Sequence, residues 1–418
     1  MAAVGVAGAG YVGLTTAACL AELGHEVVCA EVDQSKVDEL SRGEVSLGEP
    51  DLAPLVRDGL AAGRLRFTAD PGALDGREFV FACVPTPAGP DGAADLGAVE
   101  AVLAALHPGP RTVLVVKSTV PVGTCARIAE TAGIPVVSNP EFLREGHAVH
   151  DFRHPDRIVL GGEEPGVARV AALYADLGPP VVRTDHASAE LGKYASNAFL
   201  ALKLSYVNLL ARLCERTGAD IDAVTRTMSL DQRIGPHFLR PGPGWGGSCL
   251  PKDTRALVAT GAAAGVDLTV LRSAIEANDR QHDHVVARIR EAVGGRLDGV
   301  RIGLFGLTFK AGTHDLRDSP ALAVAGRLAA AGAVLTGYDP GVTGDQAGPV
   351  QRVDDPVLAA KGARVLVVLT EWPEFGGLDW SQLAAVAEGD AVVDTRGVLD
   401  PAALRGSGLR CLRLGHAA

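Results

Sequence analysis

The stretch Gly8-Ala9-Gly10-Tyr11-Val12-Gly13 decides the fold of this chain. It is a GxGxxG set between a short apolar run, Ala2–Ala7, and a helical pattern, Leu14–Leu23, that Gly24-His25 stops. Glu26–Ala30 then reads as a second strand with Glu31 at its end, 18 residues after Gly13. A dinucleotide-binding unit needs this order. The first glycine makes the tight turn, the second lets the backbone approach a pyrophosphate, and the third lets helix pack on strand, while the helix N-terminus faces the phosphates. An acid about 20 residues further on receives the ribose diol. A carboxylate there repels a 2′-phosphate, so NAD is expected over NADP. Asp33 is a secondary candidate for that acid. Lys36 is the one nearby cation that would soften the preference, unless it stands on a solvated helix face.

Working outward, strands and helices alternate to about residue 185. Phe79–Val84 ends in Pro85-Thr86-Pro87, Thr112–Val116 in Lys117-Ser118-Thr119, and Pro135–Ser138 in Asn139-Pro140-Glu141. Each strand hands over to polar residues at its C-terminal end, where an open parallel sheet binds its ligands. From about 186 the pattern turns helical. Ala187–Thr217 carries apolar residues at helical spacing (Leu191, Tyr194, Ala198, Leu202, Tyr206, Leu209, Leu213) and stops at Gly218. At about 1.5 Å per residue such a helix spans a domain, and its amphipathic stripe suits a core or a dimer contact. After the glycine-rich linker 294–299 a second alternating section begins: Val300–Phe305, a helix Pro320–Ala331, Ala333–Tyr338 ending in Asp339, Val365–Leu369 and Ala391–Asp394. It has too few glycines for another pyrophosphate turn. The expected fold is α/β: two Rossmann-like, doubly wound parallel-sheet domains (1–185, binding NAD, and 299–418) joined by a central helical domain (186–298) with a long helix.

Composition sets outer bounds. The 418 residues allow several full cores. A net charge of −11 argues against a nucleic-acid partner. Seven scattered cysteines form no CxxC, which is a reduced pattern and not a disulfide framework. Residues 1–21 carry no charged side chain, but they lack a basic leading region and hold the glycine turn. No membrane association is expected, and a cytoplasmic location is. His147, His150 and His154 have a spacing that mimics metal ligands, but Pro155 follows at once, so no metal is expected.

The second informative stretch is Gly244-Trp245-Gly246-Gly247-Ser248-Cys249-Leu250-Pro251-Lys252-Asp253. A cysteine behind glycines and beside a cation reads either as a buried thiol in a tight turn or as a thiolate nucleophile.

Taken together, these motifs resemble the UDP-glucose/GDP-mannose dehydrogenase family of NAD-dependent nucleotide-sugar 6-dehydrogenases. Matching segments include Gly8–Leu14, Val84–Pro87, Lys117–Gly123, Asn139–Gly146, Lys193–Phe199, Asp231–Gly235, Gly246–Asp253, Phe309-Lys310 with Asp315–Ser319, and Leu369–Trp372. The resemblance implies a four-electron oxidation of a primary alcohol to a carboxylate. In that reading Cys249 traps the aldehyde and Asp253, Lys193 and Asn197 handle protons and oxyanion charge. Thr119 holds the hydrolytic water, Glu141 is the base, and Glu145 orients water or NAD. It also implies cofactor contacts from Gly8, Gly10, Tyr11, Val12, Gly13, Glu31, Lys36, Pro85, Thr86, Ser118, Thr119, Glu145 and Arg317. Substrate contacts are implied from Glu141, Phe142, Leu143, Arg144, Lys193, Asn197, Trp245, Gly246, Lys310 and Arg396, and Arg233 is expected to reach the site of a second subunit in a homodimer. UDP-glucose is the leading substrate. dTDP-glucose, GDP-mannose or a UDP-N-acetylhexosamine are the alternatives, and a two-electron β-hydroxyacid dehydrogenase, which needs no Cys249, is the runner-up. Trp245, where the family usually has a smaller aromatic, and Glu31, where it usually has aspartate, are departures.

Overall fold

A computed structural model describes residues 1–89 and 92–417. Among these, eight strands form one sheet in the spatial order Leu65–Thr68, Glu26–Ala30, Ala3–Ala7, Phe79–Ala82, Val113–Val116, Val136–Ser138, Ile158–Gly162, Val181–Thr184. The first six pair in parallel in the 3-2-1-4-5-6 order of a dinucleotide fold. Ile158–Gly162 runs antiparallel to Val136–Ser138.

The strands are continuous apolar runs because both faces are covered. Phe79, Phe81, Val113 and Val115 join Leu14 and Leu20 in one core. The intervening Val80, Leu114 and Val116 join Val99 and Ile128 in another. With a side-chain period of two, each strand feeds both layers of helices.

The second sheet has seven strands in the order Gln346–Ala347, Val350–Arg352, Val334–Tyr338, Arg301–Phe305, Val365–Val368, Ala391–Asp394, Arg410–Arg413. Its last six strands repeat the 3-2-1-4-5-6 order. Again alternate residues divide: Val365 and Val367 pack with Leu304 and Leu328, Leu366 and Val368 with Phe375 and Trp380. The second fold expected from sequence is therefore present.

The long helix is His186–Thr217. Leu250–Ala263 and Thr269–Ala292 follow it. By contacts the chain forms two compact units, Met1–Ser196 with Arg255–Val266, and Asn197–Thr254 with Asp267–Ala418. Among the described residues no helix is long and apolar enough to cross a membrane.

Candidate active site

The glycine turn has the geometry its chemistry requires. Gly8 sits at φ +93°, a conformation that disfavours a side chain, and its amide donates to the Ala30 carbonyl at 2.8 Å. A Cβ on Gly13 would collide with the Gly8 carbonyl, so this glycine sets the close packing of helix Tyr11–Glu22 on the first strand. A Cβ on Gly10 would meet nothing within 4 Å. The open space lies at the one glycine a pyrophosphate must approach, at the N-terminus of that helix. Glu31 Oε2 accepts from the Ala9 amide at 3.0 Å and from Lys36 Nζ at 3.3 Å. Burial raises its carboxyl, but the Ala9 amide and Lys36 outweigh this and hold it below its ordinary value. Asp33 caps helix Gln34–Ser41 by accepting from the Ser35 and Lys36 amides, so of the two candidate acids Glu31 is the one not used as a helix cap. Lys36 is part-exposed, with its Nζ turned onto Glu31. These residues fit an NAD molecule.

The Tyr11 hydroxyl faces the 144–148 loop. It lies 2.6 Å from Glu49 Oε2 and 2.7 Å from the Arg144 carbonyl. Glu49, buried, also accepts from the Gly146 and Ala148 amides at 2.7 and 2.6 Å. Burial and the Glu49 carboxylate raise the Tyr11 phenol well above its usual range. Glu49 thus ties the glycine-turn helix to the segment carrying Glu145. Sequence reading passed over it, because an acid in a loop has no spacing signal.

The strand ends are cross-braced. Thr86 Oγ1 donates to the Thr119 carbonyl at 2.7 Å and Ser118 Oγ to the Val84 carbonyl at 2.6 Å, while Pro85 stays exposed. Glu190 accepts from the Gly123 and Cys125 amides at 2.6 and 2.7 Å, fixing the end of the Thr119 loop to the long helix.

One turn further along that helix, Lys193 Nζ donates to Glu141 Oε1 at 3.0 Å and to the Glu141 carbonyl at 2.7 Å, and both side chains are buried. Glu141 Oε2 takes the Leu143 amide at 2.6 Å. Burial would raise the Glu141 carboxyl. Lys193, the Leu143 amide and Lys117 together bring it below its ordinary value, so it is an anion at neutral pH. The Phe142 ring has the Arg157 guanidinium 3.7 Å from its centre and Lys193 Nζ at 5.1 Å. Arg144 is forked onto Asp151.

The cysteine stretch has a second set of partners. Cys249 alone of the seven cysteines is exposed. Burial raises the Cys19, Cys83 and Cys411 thiols to about 12. The Cys249 carbonyl accepts the Asp253 amide at 2.9 Å, so the cysteine stands at the entrance to helix Leu250–Ala263. Asp253 is fully buried and both its oxygens are engaged, Oδ2 by Asn197 Nδ2 at 2.6 Å and Oδ1 by Lys252 Nζ at 2.5 Å. Trp245 is buried, and its indole N–H donates to Ser205 Oγ at 2.8 Å. The ring is thereby committed to packing, whatever its backbone offers a ligand. Gly246 admits no Cβ because the Asp318 carbonyl lies against it.

Arg396 Nε lies 2.9 Å from the Leu369 carbonyl and 3.1 Å from Glu371 Oε2. Lys310 Nζ is 5.7 Å from the centre of the Phe309 ring. Arg317 forks onto Asp315, and the exposed Arg233 onto Asp231. His147 precedes helix Ala148–Arg153 and His154 follows it. Asp220, Asp222 and His416 lie close together, but Asp222 is paired with Arg413 at 3.1 Å.

The chain matches three models of one family. They are the UDP-glucose/GDP-mannose dehydrogenase NAD binding domain over residues 2–178, the central domain over 187–280 and the UDP binding domain over 303–401. It is 42% identical to a UDP-glucose 6-dehydrogenase of Rhizobium meliloti, with 98% of each chain covered. It is 41% identical to one of Pseudomonas aeruginosa, over 95% of this chain and 94% of that one. A solved UDP-glucose dehydrogenase from Pyrobaculum islandicum superposes with a TM-score of 0.89 at 37% identity, covering 100% of this chain and 98% of that one.

Proposed function

The chain belongs to the UDP-glucose/GDP-mannose dehydrogenase family, and from that premise we propose that it oxidises the C6 alcohol of UDP-glucose to the carboxylate. The observation that carries this is the exposed Cys249 at the entrance to the helix on which Asp253 is held by Asn197 and Lys252; within the other compact unit the buried Lys193–Glu141 pair supports it. A two-electron dehydrogenase needs no such cysteine.

Bound NAD supplies the hydride acceptor for each of the two oxidations. The chain's residues do the rest. Cys249 adds through Sγ to the C6 aldehyde, giving a thiohemiacetal, and the helix entrance behind it favours the thiolate. Loss of the second hydride, with the thiohemiacetal hydroxyl proton released to water, leaves a thioester. Lys193 Nζ and Asn197 Nδ2 offer donors to the oxygen that gains charge in each addition. Thr119 holds the water, and the ionised Glu141 carboxylate takes its proton as it attacks the thioester carbon. The products are the carboxylate and free Cys249. Lys310 and Arg396 serve the nucleotide phosphates, Arg317 the cofactor pyrophosphate.

The working species in this reading is a homodimer. Phe199, Tyr206, Leu209 and Leu213 stand exposed along the long helix at spacings of seven, three and four residues, a stripe suited to an isologous contact. The exposed Arg233 reaches the neighbouring copy's substrate. A panel of nucleotide sugars assayed for NADH formation tests the reading. UDP-glucose is expected to be the preferred substrate, and preference for another sugar nucleotide overturns that choice. Cys249→Ser is expected to abolish carboxylate formation, and wild-type turnover would rule out the covalent route.

A further inference from the structure

Residues 242–247, which lead into the cysteine stretch, are all buried and form neither helix nor strand. Buried backbone without a ladder must find other partners. It finds them in amide side chains on two helices. The Gly242 amide donates to Asn208 Oδ1 at 2.8 Å, and the Gly242 carbonyl accepts from Gln281 Nε2 at 2.9 Å. Asn278 takes both backbone groups of one residue: its Oδ1 accepts the Trp245 amide at 2.8 Å and its Nδ2 donates to the Trp245 carbonyl at 3.0 Å. Asn208, Asn278 and Gln281 are themselves at least nine-tenths buried. A buried amide is costly unless its hydrogen bonds are made; the loop engages both ends of the Asn278 amide, and one end each of Asn208 and Gln281. The glycines complete the grip. A Cβ on Gly244 would lie 2.6 Å from His282 Nε2 and 2.9 Å from Asn278 Oδ1.

We propose that Asn278, through its paired hydrogen bonds to Trp245, is a positioning residue that sets where Cys249 stands four residues later. The inference rests on the reading of Cys249 as the nucleophile. An asparagine is the one small side chain that is always both donor and acceptor at adjacent atoms. Aspartate has its shape, but as an anion it can only accept, so in Asn278→Asp it faces the Trp245 carbonyl with like charge. When protonated it donates again. The variant therefore carries its own rescue, and burial raises the pH at which that rescue occurs.

The test uses the full-length protein and iodoacetamide, with alkylation of Cys249 followed by mass spectrometry. The readout is the ratio of Asn278→Asp to wild-type rate at each pH from 8.5 down to 5.5, numbers chosen to span about three decades of protonation. The ratio is expected near 0.1 at the alkaline end, climbing toward one as the pH falls. In NADH formation from UDP-glucose, kcat is expected to follow the same ratio while KM for NAD stays within about twofold, since a misplacement of about 1 Å costs up to 100-fold in rate. A ratio near or above one at every pH overturns the proposal. So does a low ratio that pH does not change, which would mark general loosening. Gln281→Glu repeats the design one turn along the helix and serves if Asn278→Asp does not fold. Should wild type oxidise no sugar nucleotide while the alkylation ratio behaves as stated, the functional reading fails and this one stands.

Discussion

The two glycine turns, at Gly8 and Gly306, make the sharpest comparison in the molecule. Both follow the first strand of a 3-2-1-4-5-6 sheet, both glycines have φ +93°, and both amides donate at 2.8 Å to the last carbonyl of the neighbouring strand, Ala30 or Tyr338. In each case an acid comes next. Glu31 is partly open and shared between the Ala9 amide and Lys36. Asp339 is fully buried: its Oδ2 faces the Leu307 and Thr308 amides, Thr308 Oγ1 and Trp372 Nε1 at 2.6 to 3.2 Å. The helix after Gly8 begins at Tyr11, whereas the helix after Gly306 begins only at Pro320. One frame thus keeps an open glycine turn and a carboxylate that is only partly buried. The other closes its turn from within and extends a loop carrying Lys310 and Arg317. The lesson is that a shared strand order fixes where a ligand can sit, while the binding itself depends on which polar groups remain uncommitted.

This contrast predicts opposite outcomes for the two acids. Asp339→Ala strands several buried donors and is expected to destabilise the protein by about 4 kcal/mol, read by denaturant unfolding. Glu31→Ala is expected to leave the fold intact within about 1 kcal/mol and to weaken NAD binding about ten- to hundredfold, read by titration. If the two variants behave alike, the comparison is broken. The glycines sharpen it. Gly10→Ala meets no protein atom and should raise KM for NAD about tenfold with the melting temperature unchanged. Gly306→Ala sets a Cβ against Thr370 at a positive φ and should lower stability by about 2 kcal/mol.

Much of this was legible in the sequence because it is periodic or local. The glycine fingerprint, the polar residues at strand ends and the bounds of the long helix all follow from short-range rules, and the observed helix begins within one residue of the expected start. Strands Leu65–Thr68, Ile158–Gly162, Val181–Thr184, Val350–Arg352 and Arg410–Arg413 went unread: most carry charged residues within the run, and one pairs antiparallel in a section that reads as parallel. Glu49, Glu190, Asn208, Asn278 and Gln281 also left no signal. Each is a single polar residue whose partner is the backbone of a distant segment, and no spacing announces such a partner. Asp339 was visible as a strand-end acid, yet only its burial and the four donors around its Oδ2 separate it from Glu31.

A pH-dependent effect concerns His282, beside Gly244. Burial, with Arg327 nearby opposing Asp279 and Asp283, lowers its imidazole to about 4 from 6.5. A depressed folded value means that the contribution is full above pH 6.5 and is lost as the pH falls toward 4. Across that window wild type should lose on the order of 3 kcal/mol more than His282→Leu, as compared by thermal melts at stepped pH.

The central claim is a four-electron oxidation carried through Cys249, and the most direct measurement is the NADH formed per UDP-glucose consumed at completion. The account predicts two, with the sugar recovered as the carboxylate. A value of one, with the aldehyde released, would contradict it and make the cysteine a bystander.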